Sequence, residues 1–152
     1  MTRIGLISDT HGLMRAEALA ALRGSDRIIH AGDIVDPANL DALARIAPVT
    51  AVRGNNDRGP WAAALPESEL LQIGEVAVYV IHDLKTLDID PAAANVQVVV
   101  SGHSHKPLVQ QRGGVLYVNP GSAGPRRFKL PVSVARLDVV GRDVRAQLVE
   151  LS

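Results

Sequence analysis

The sequence contains no cysteine. Disulfides and thiolate metal sites are thereby excluded, so any metal must be held by imidazole, carboxylate, amide oxygen or water. There is no excess charge either, because 16 lysines and arginines balance 16 aspartates and glutamates without long runs of one sign. No global field recruits nucleic acid or an anionic membrane, no extended nucleic-acid surface is evident, and anion binding would have to be local. Long apolar runs are missing as well, since "VAVYVIH" and "VQVVVSGH" are far too short to cross a bilayer. No charged segment followed by an apolar one opens the chain, so the expectation is a soluble, cytoplasmic protein with no membrane partner. Repeats, low-complexity tracts and linkers are absent, and 152 residues suit one domain, 1–152, with a sizeable core. The composition is compatible with a homo-oligomer.

What is present in the first half is an alternation of strand-length apolar runs with helical patterns, which is βαβ organisation. "RIGLIS" (3–8) reads as a buried strand, "RAEALAALRG" (15–24) as a helix ended by Gly24, and "DRIIHA" (26–31) as the next strand. "DPANLDALARI" offers Asp36 as N-cap and Pro37 at the first helical position, ahead of a third strand at "PVTAVR" (48–53). After residue 65 strands dominate. "ESELLQIGEVAVYVIH" predicts two strands joined at Gly74–Glu75, and "VQVVVS" (96–101) another buried run. Hairpins are expected to turn at Gly113–Gly114 and around Gly141–Arg142, a tail that favours antiparallel pairing.

Polar residues capable of chemistry stand immediately after these strands. Asp9 and His11 follow the first, Asp33 the second and Asn55 the third, while His82 and then His103 with His105 follow two later ones. In open α/β sheets ligands bind beyond the carboxyl ends of the strands, so these residues can converge on one rim. Each alone has a plain structural account. In "SDTHG" the two side chains can reach one ion, yet Asp9 can equally cap a helix. Asp33 in "AGDIVD" can be another cap, and the Gly-Asn-Asn-Asp of "VRGNNDRG" is a natural turn. "SGHSHKP" is a stronger signal, because His-x-His is scarce in a chain with 5 histidines and imidazole is the commonest metal ligand. Turn chemistry does not readily explain all of them together.

In order, "DTH", "GD", "GNND", "IHD" and "GHSH" closely resemble the calcineurin-like metallophosphoesterases, whose pattern is D-x-H, G-D, G-N-[H/C/N]-[D/E], H, G-H-x-H. The later "NPGSAGPRR" is similar to the N-P-G-S-x-x-x-P-R segment of the small YfcE-type phosphodiesterase branch, and the resemblance spans residues 4 to about 127. It implies an α/β fold, a two-sheet mixed β sandwich flanked by helices in a four-layer αββα arrangement. It also implies two divalent metals, with Asp9, His11 and His105 on the first, Asn55, His82 and His103 on the second, and Asp33 bridging. Asp33, Asn55 and His82 would then be catalytic. Two divalent ions outweigh the charges of Asp9 and Asp33, giving a cationic site for a small phosphodiester substrate. Metals roughly 3.5–4 Å apart clamp the attacking and leaving oxygens and lower the pKa of a bridging water, so hydroxide becomes the nucleophile. Mn²⁺ is the first choice by resemblance, and Ni²⁺, Co²⁺, Fe²⁺ or Zn²⁺ suit the donors too; Mg²⁺ alone does not suit four imidazoles.

Other residues carry two readings. His30 either orients a ligand or is a buried structural histidine. Asp57 either orients the Asn55 loop or an imidazole, or is only a turn residue. Arg126 and Arg127 either meet substrate phosphate or are solvated, Trp61 walls the cleft or packs in the core, and Asn119 and Ser122 build a turn under the site. Two departures from the family pattern stand out. Asn56 occupies the position where many relatives have the histidine proposed to protonate the leaving group, which predicts a preference for acidic leaving groups. Asp83 stands where relatives often have glycine, either at the cleft mouth, repelling charged phosphates, or in solvent. The competing expectations are a binding scaffold on the same fold, as in a retromer subunit, and a mononuclear metallohydrolase.

Overall fold

The computed structural model describes residues 1–151. The first half alternates strands and helices: β1 (Thr2–Ile7), α1 (Ala16–Leu22), β2 (Arg27–His30), α2 (Ala38–Ala44) and β3 (Val49–Ala51). A single helical turn, α3 (Pro60–Ala63), leads into β4 (Ser68–Ile73), β5 (Val76–Ile81), β6 (Val98–Val100), β7 (Leu108–Arg112), β8 (Val115–Asn119), β9 (Ser133–Val140) and β10 (Asp143–Glu150). Each expected element forms, most of them a residue or two shorter at the ends. Gly24 ends α1 with φ at +84°. Asp36 accepts the Ala38 backbone N–H at 2.9 Å and so caps α2, although regular helix starts one residue beyond Pro37.

Two five-stranded mixed sheets form, in the orders β10-β9-β1-β2-β3 and β4-β5-β6-β8-β7. In the second sheet the expected antiparallel tendency holds for β4–β5 and β7–β8, whereas β5–β6 and β6–β8 are parallel. Burial explains the order. All three β6 valines are buried, so the strand needs a neighbour on each side, while every residue of β7 is exposed and suits an edge. β8 therefore leaves its hairpin partner outside and inserts beside β6.

Alternation along the strands sorts side chains between layers. Ile4, Leu6, Ile29, Val78, Val98 and Leu137 fill the space between the sheets. Ile7, Ile28 and Val134 point the other way, onto Ala18 and Leu22 of α1 and Leu43 of α2. Full burial of each such aliphatic side chain stabilises by about 1.5–3 kcal/mol, so the sandwich rests mainly on these contacts. The outer face of the second sheet is covered by Leu84, Leu87 and Ile89, where one 3₁₀ turn (Leu84–Thr86) takes the place of a long helix. No described helix is long and apolar enough to cross a membrane.

Candidate metal centre

The carboxyl ends of β1, β2 and β3 in one sheet and of β5 and β6 in the other meet at one rim. There the structure assembles two donor groups, Asp9 with His11 and His105, and Asp33 with His82 and His103; within each, the donor atoms lie within 4.8 Å of one another. Asn55 joins the second, its Oδ1 lying 3.0 Å from His82 Nε2 and 3.2 Å from His103 Nδ1. The groups touch through Asp33, whose Oδ2 is 3.3 Å from His82 Nε2 and 3.7 Å from His11 Nε2. All seven expected donors are thus brought together.

Main-chain conformation does much of the positioning. Asp9, His11, Asp33, His103 and His105 have φ between +47° and +69°, the left-handed region. Such a conformation costs roughly 1–2 kcal/mol for a residue with a Cβ, and strained non-glycine residues of this kind cluster at functional sites. Hydrogen bonds hold the strained loops. Asp9 donates its N–H to Gly32 and His11 to Asp33, tying the loops after β1 and β2 together. Gly32, at φ +103°, passes so close to His82 that a Cβ there would lie 2.6 Å from Nδ1.

Asp57 hydrogen-bonds to both the Asp33 loop and the Asn55 loop. Its buried carboxylate accepts four backbone N–H groups, Asp33 and Gly54 on Oδ2 at 3.0 and 2.8 Å, and Ile34 and Val35 on Oδ1 at 2.8 and 2.7 Å. The loop bearing Asp33 is thereby locked to the loop bearing Asn55. His30 is the buried structural histidine. Its Nδ1 accepts the Gly32 N–H, so Nε2–H donates to Thr10 Oγ1 at 3.0 Å, and burial pushes its pKa down to about 3. Asn119 and Ser122 lie beneath the rim as turn builders. Asn119 Nδ2 donates to the Gly102 carbonyl and Ser104, and Ser122 Oγ to the Asp9 carbonyl. Ser8, to which the sequence analysis assigns no role, donates to Asp9 Oδ2 at 2.7 Å; its place beside Asp9 was the available signal. Arg126 and Arg127 are exposed and form no hydrogen bond or ion pair with the donors. Trp61 does not line the neighbouring cleft.

The donor chemistry fits divalent metal. Asp9 Oδ1 is fully buried, has no hydrogen-bond partner, and faces His105 Nε2 at 3.4 Å and His11 Nε2 at 3.8 Å. A buried acceptor left in this way is costly unless a cation or donor meets it. Burial raises the Asp9 pKa against the lowering hydrogen bond from Ser8. At Asp33 burial acts in the same direction but is outweighed by hydrogen bonds from His82 and the Asn56 backbone and amide, which hold this carboxyl well below the usual range. His82 donates Nδ1–H to the Ala31 carbonyl at 2.7 Å, the arrangement that turns Nε2 toward a ligand. Burial works to lower its pKa, but the Asp33 hydrogen bond and the Asp9 charge raise it on balance. The His105 pKa falls to about 4, by burial first and then by the charge of Arg127.

Asn56 is engaged with Asp33: its N–H donates to Oδ1 at 2.9 Å and its side-chain amide to Oδ2 at 3.0 Å. Beside the second group opens a cleft of about 480 Å³, lined by Asn55, His82 and His103 and by Asp83 among others. Asp83 therefore faces the cleft.

Residues 2–142 match the calcineurin-like phosphoesterase superfamily domain. The chain is 34% identical to a probable metallophosphoesterase of Methanothermobacter thermautotrophicus, over 96% of this chain and 91% of that protein. It is 28% identical to the phosphodiesterase YfcE of Escherichia coli, over 91% and 88% of the two chains. Among solved structures, vacuolar protein sorting 29 of Chaetomium thermophilum superposes with a TM-score of 0.81 at 20% identity, covering 100% of this chain and 99% of that one, a likeness of fold.

Proposed function

The chain belongs to the calcineurin-like phosphoesterase superfamily, and from that premise we propose that it is a dinuclear metal-dependent phosphodiesterase acting on small phosphodiesters. Asp9, His11 and His105 would hold one divalent ion, Asn55, His82 and His103 a second, with Asp33 shared. The observation that carries this reading is Asp33 Oδ2, which faces His11 of one group and His82 of the other at 3.7 and 3.3 Å. Mn²⁺ is the first choice by family resemblance, the donor set of imidazole, carboxylate and amide oxygen itself selecting weakly among first-row divalent ions.

Bound divalent ions supply Lewis acidity toward a phosphoryl oxygen and bring the pKa of water toward neutrality. The chain's own contribution is placement and charge. Asp57 fixes Asp33 against Asn55, Ser8 and the His103 N–H hold Asp9 Oδ2 so that Oδ1 faces the imidazoles, and Ala31 sets the tautomer of His82. Asn56 can donate a hydrogen bond but not a proton, so leaving groups must depart as anions and aryl esters are favoured over alkyl esters.

The test is metal analysis of purified protein, then hydrolysis of bis(p-nitrophenyl) phosphate with and without Mn²⁺. Metal-dependent turnover that Asp33→Asn abolishes is the expected result. Substantial turnover in Asp33→Asn favours a single-ion hydrolase. Protein that neither binds metal nor hydrolyses the diester is a binding module instead, a reading compatible with the fold shared with vacuolar protein sorting 29.

A further inference from the structure

We propose that the cleft beside the second donor group seats an uncharged, hydroxyl-bearing arm of a monoanionic phosphodiester, and that Asp83 determines this specificity by keeping a second anionic group out; the inference rests on the phosphodiesterase reading. At about 480 Å³ the cleft is large enough for an alcohol the size of a nucleoside or a sugar. It continues directly from Asn55, His82 and His103, so a phosphate held at the donors would place one ester arm in it.

Its wall is one-sided in charge. Arg53 is the only lysine or arginine lining it, and its guanidinium is already engaged, donating to Glu67 at 3.0 Å and to the Leu65 carbonyl at 3.4 Å. Asp83 and Asp88 also line the cleft, and neither is within ion-pair distance of a lysine or arginine. Asp83 is also held in place. Its Oδ1 accepts the Lys85 N–H at 3.0 Å, its carbonyl accepts the Thr86 hydroxyl at 2.7 Å, and Oδ2 lies 3.8 Å from His103 Nε2. A phosphate on the seated arm would meet these carboxylates with no unpaired lysine or arginine in the lining to offset them. Hydroxyl groups would instead find acceptors there, with the Tyr79 ring as an apolar wall. Exposed lysines and arginines, among them Arg126, Arg127 and Lys129 beyond the turn under Asp9, lie outside the cleft lining.

The experiment compares two chromogenic diesters on Mn²⁺-loaded protein, thymidine 5′-(p-nitrophenyl phosphate) and the same compound carrying a 3′-phosphate. The expected kcat/KM ratio favours the uncharged nucleoside by about ten-fold at low ionic strength, the combined effect of the partly exposed Asp83 and the exposed Asp88, and shrinks as salt screens them. Asp83→Asn narrows the ratio to about three-fold and Asp83→Lys removes or inverts it, the charge effect being partitioned between the two carboxylates. A wild-type ratio near one, a preference for the 3′-phosphate, or a ratio that salt and both folded variants leave unchanged would overturn the inference while leaving the phosphodiesterase reading intact. Failure to hydrolyse either compound and bis(p-nitrophenyl) phosphate with any divalent ion would instead overturn both. The salt dependence of the wild-type ratio decides the matter even if the variants do not fold.

Discussion

Replacing Asp57 by asparagine changes one atom's chemistry and tests whether this residue is the clasp of the centre. The carboxylate accepts two backbone N–H groups on each oxygen. A carboxamide keeps one accepting oxygen and turns an NH₂ against the other two donors. Each buried donor left without an acceptor costs about 1–3 kcal/mol, so the two together put the range at about 2–6 kcal/mol. The amide will turn its NH₂ toward Ile34 and Val35 rather than Asp33 and Gly54, because Val35 is partly exposed and water can reach that side. The lower part of the range, about 2–3 kcal/mol, is therefore expected, against a usual domain stability of about 5–15 kcal/mol. Asp57→Ala, which abandons all four donors, should cost roughly twice as much by the same count. Urea unfolding with an unchanged m-value is the assay. A loss below about 0.5 kcal/mol, the range of ordinary surface changes, would refute the role, as would Asp57→Ala matching Asp57→Asn. If the clasp also sets the donor geometry, Asp57→Asn binds Mn²⁺ more weakly by isothermal titration.

Three further outcomes follow from other residues. Asn56→His should flatten the dependence of kcat on leaving-group pKa and raise alkyl relative to aryl diester hydrolysis by about 10²-fold, the usual scale of general-acid help; an unchanged aryl-to-alkyl ratio refutes it. His30, with its folded pKa near 3, contributes stability that is complete above the unfolded value near 6.5 and is lost as pH falls toward 3. Urea titrations from pH 7 to 4 should accordingly show a shallower acid loss in His30→Gln, and parallel pH profiles would contradict this. Gly32→Ala places a methyl 2.6 Å from His82 Nδ1 at a φ of +103°, and should destabilise by at least roughly 1–3 kcal/mol while disturbing the His82 ring signals by NMR; an unperturbed variant would show that the loop yields cheaply.

The sequence exposed the positions of the strands and the polar residues at their ends, because apolar period and turn composition are local properties. Gly74–Glu75, Gly113–Gly114 and Gly141–Arg142 turn where local turn chemistry puts them. The parallel placement of β8 beside β6 was hidden, since it depends on which strand is buried on both faces after the sheets pack. Asp57 was undecided for a similar reason. Its four partners lie on two loops, three of them more than twenty residues away in the chain. Asp83 was readable as a departure from a pattern with two placements, the cleft mouth or solvent, and the choice between them required the 3₁₀ turn that fixes it.

The left-handed backbone at Asp9, His11, Asp33, His103 and His105 restricts the alphabet available to this rim. Asparagine, aspartate and histidine are the non-glycine residues most tolerant of that conformation, and two of these types are the very donors found there. Ligand chemistry and main-chain geometry thus select the same letters for different reasons. Drift from aspartate to asparagine would change charge at little conformational cost, whereas a β-branched residue would oppose the loop itself. Among descendants of this fold that lose their metals, these positions should pass to asparagine or glycine sooner than to valine, and the outline of the site should outlast its chemistry.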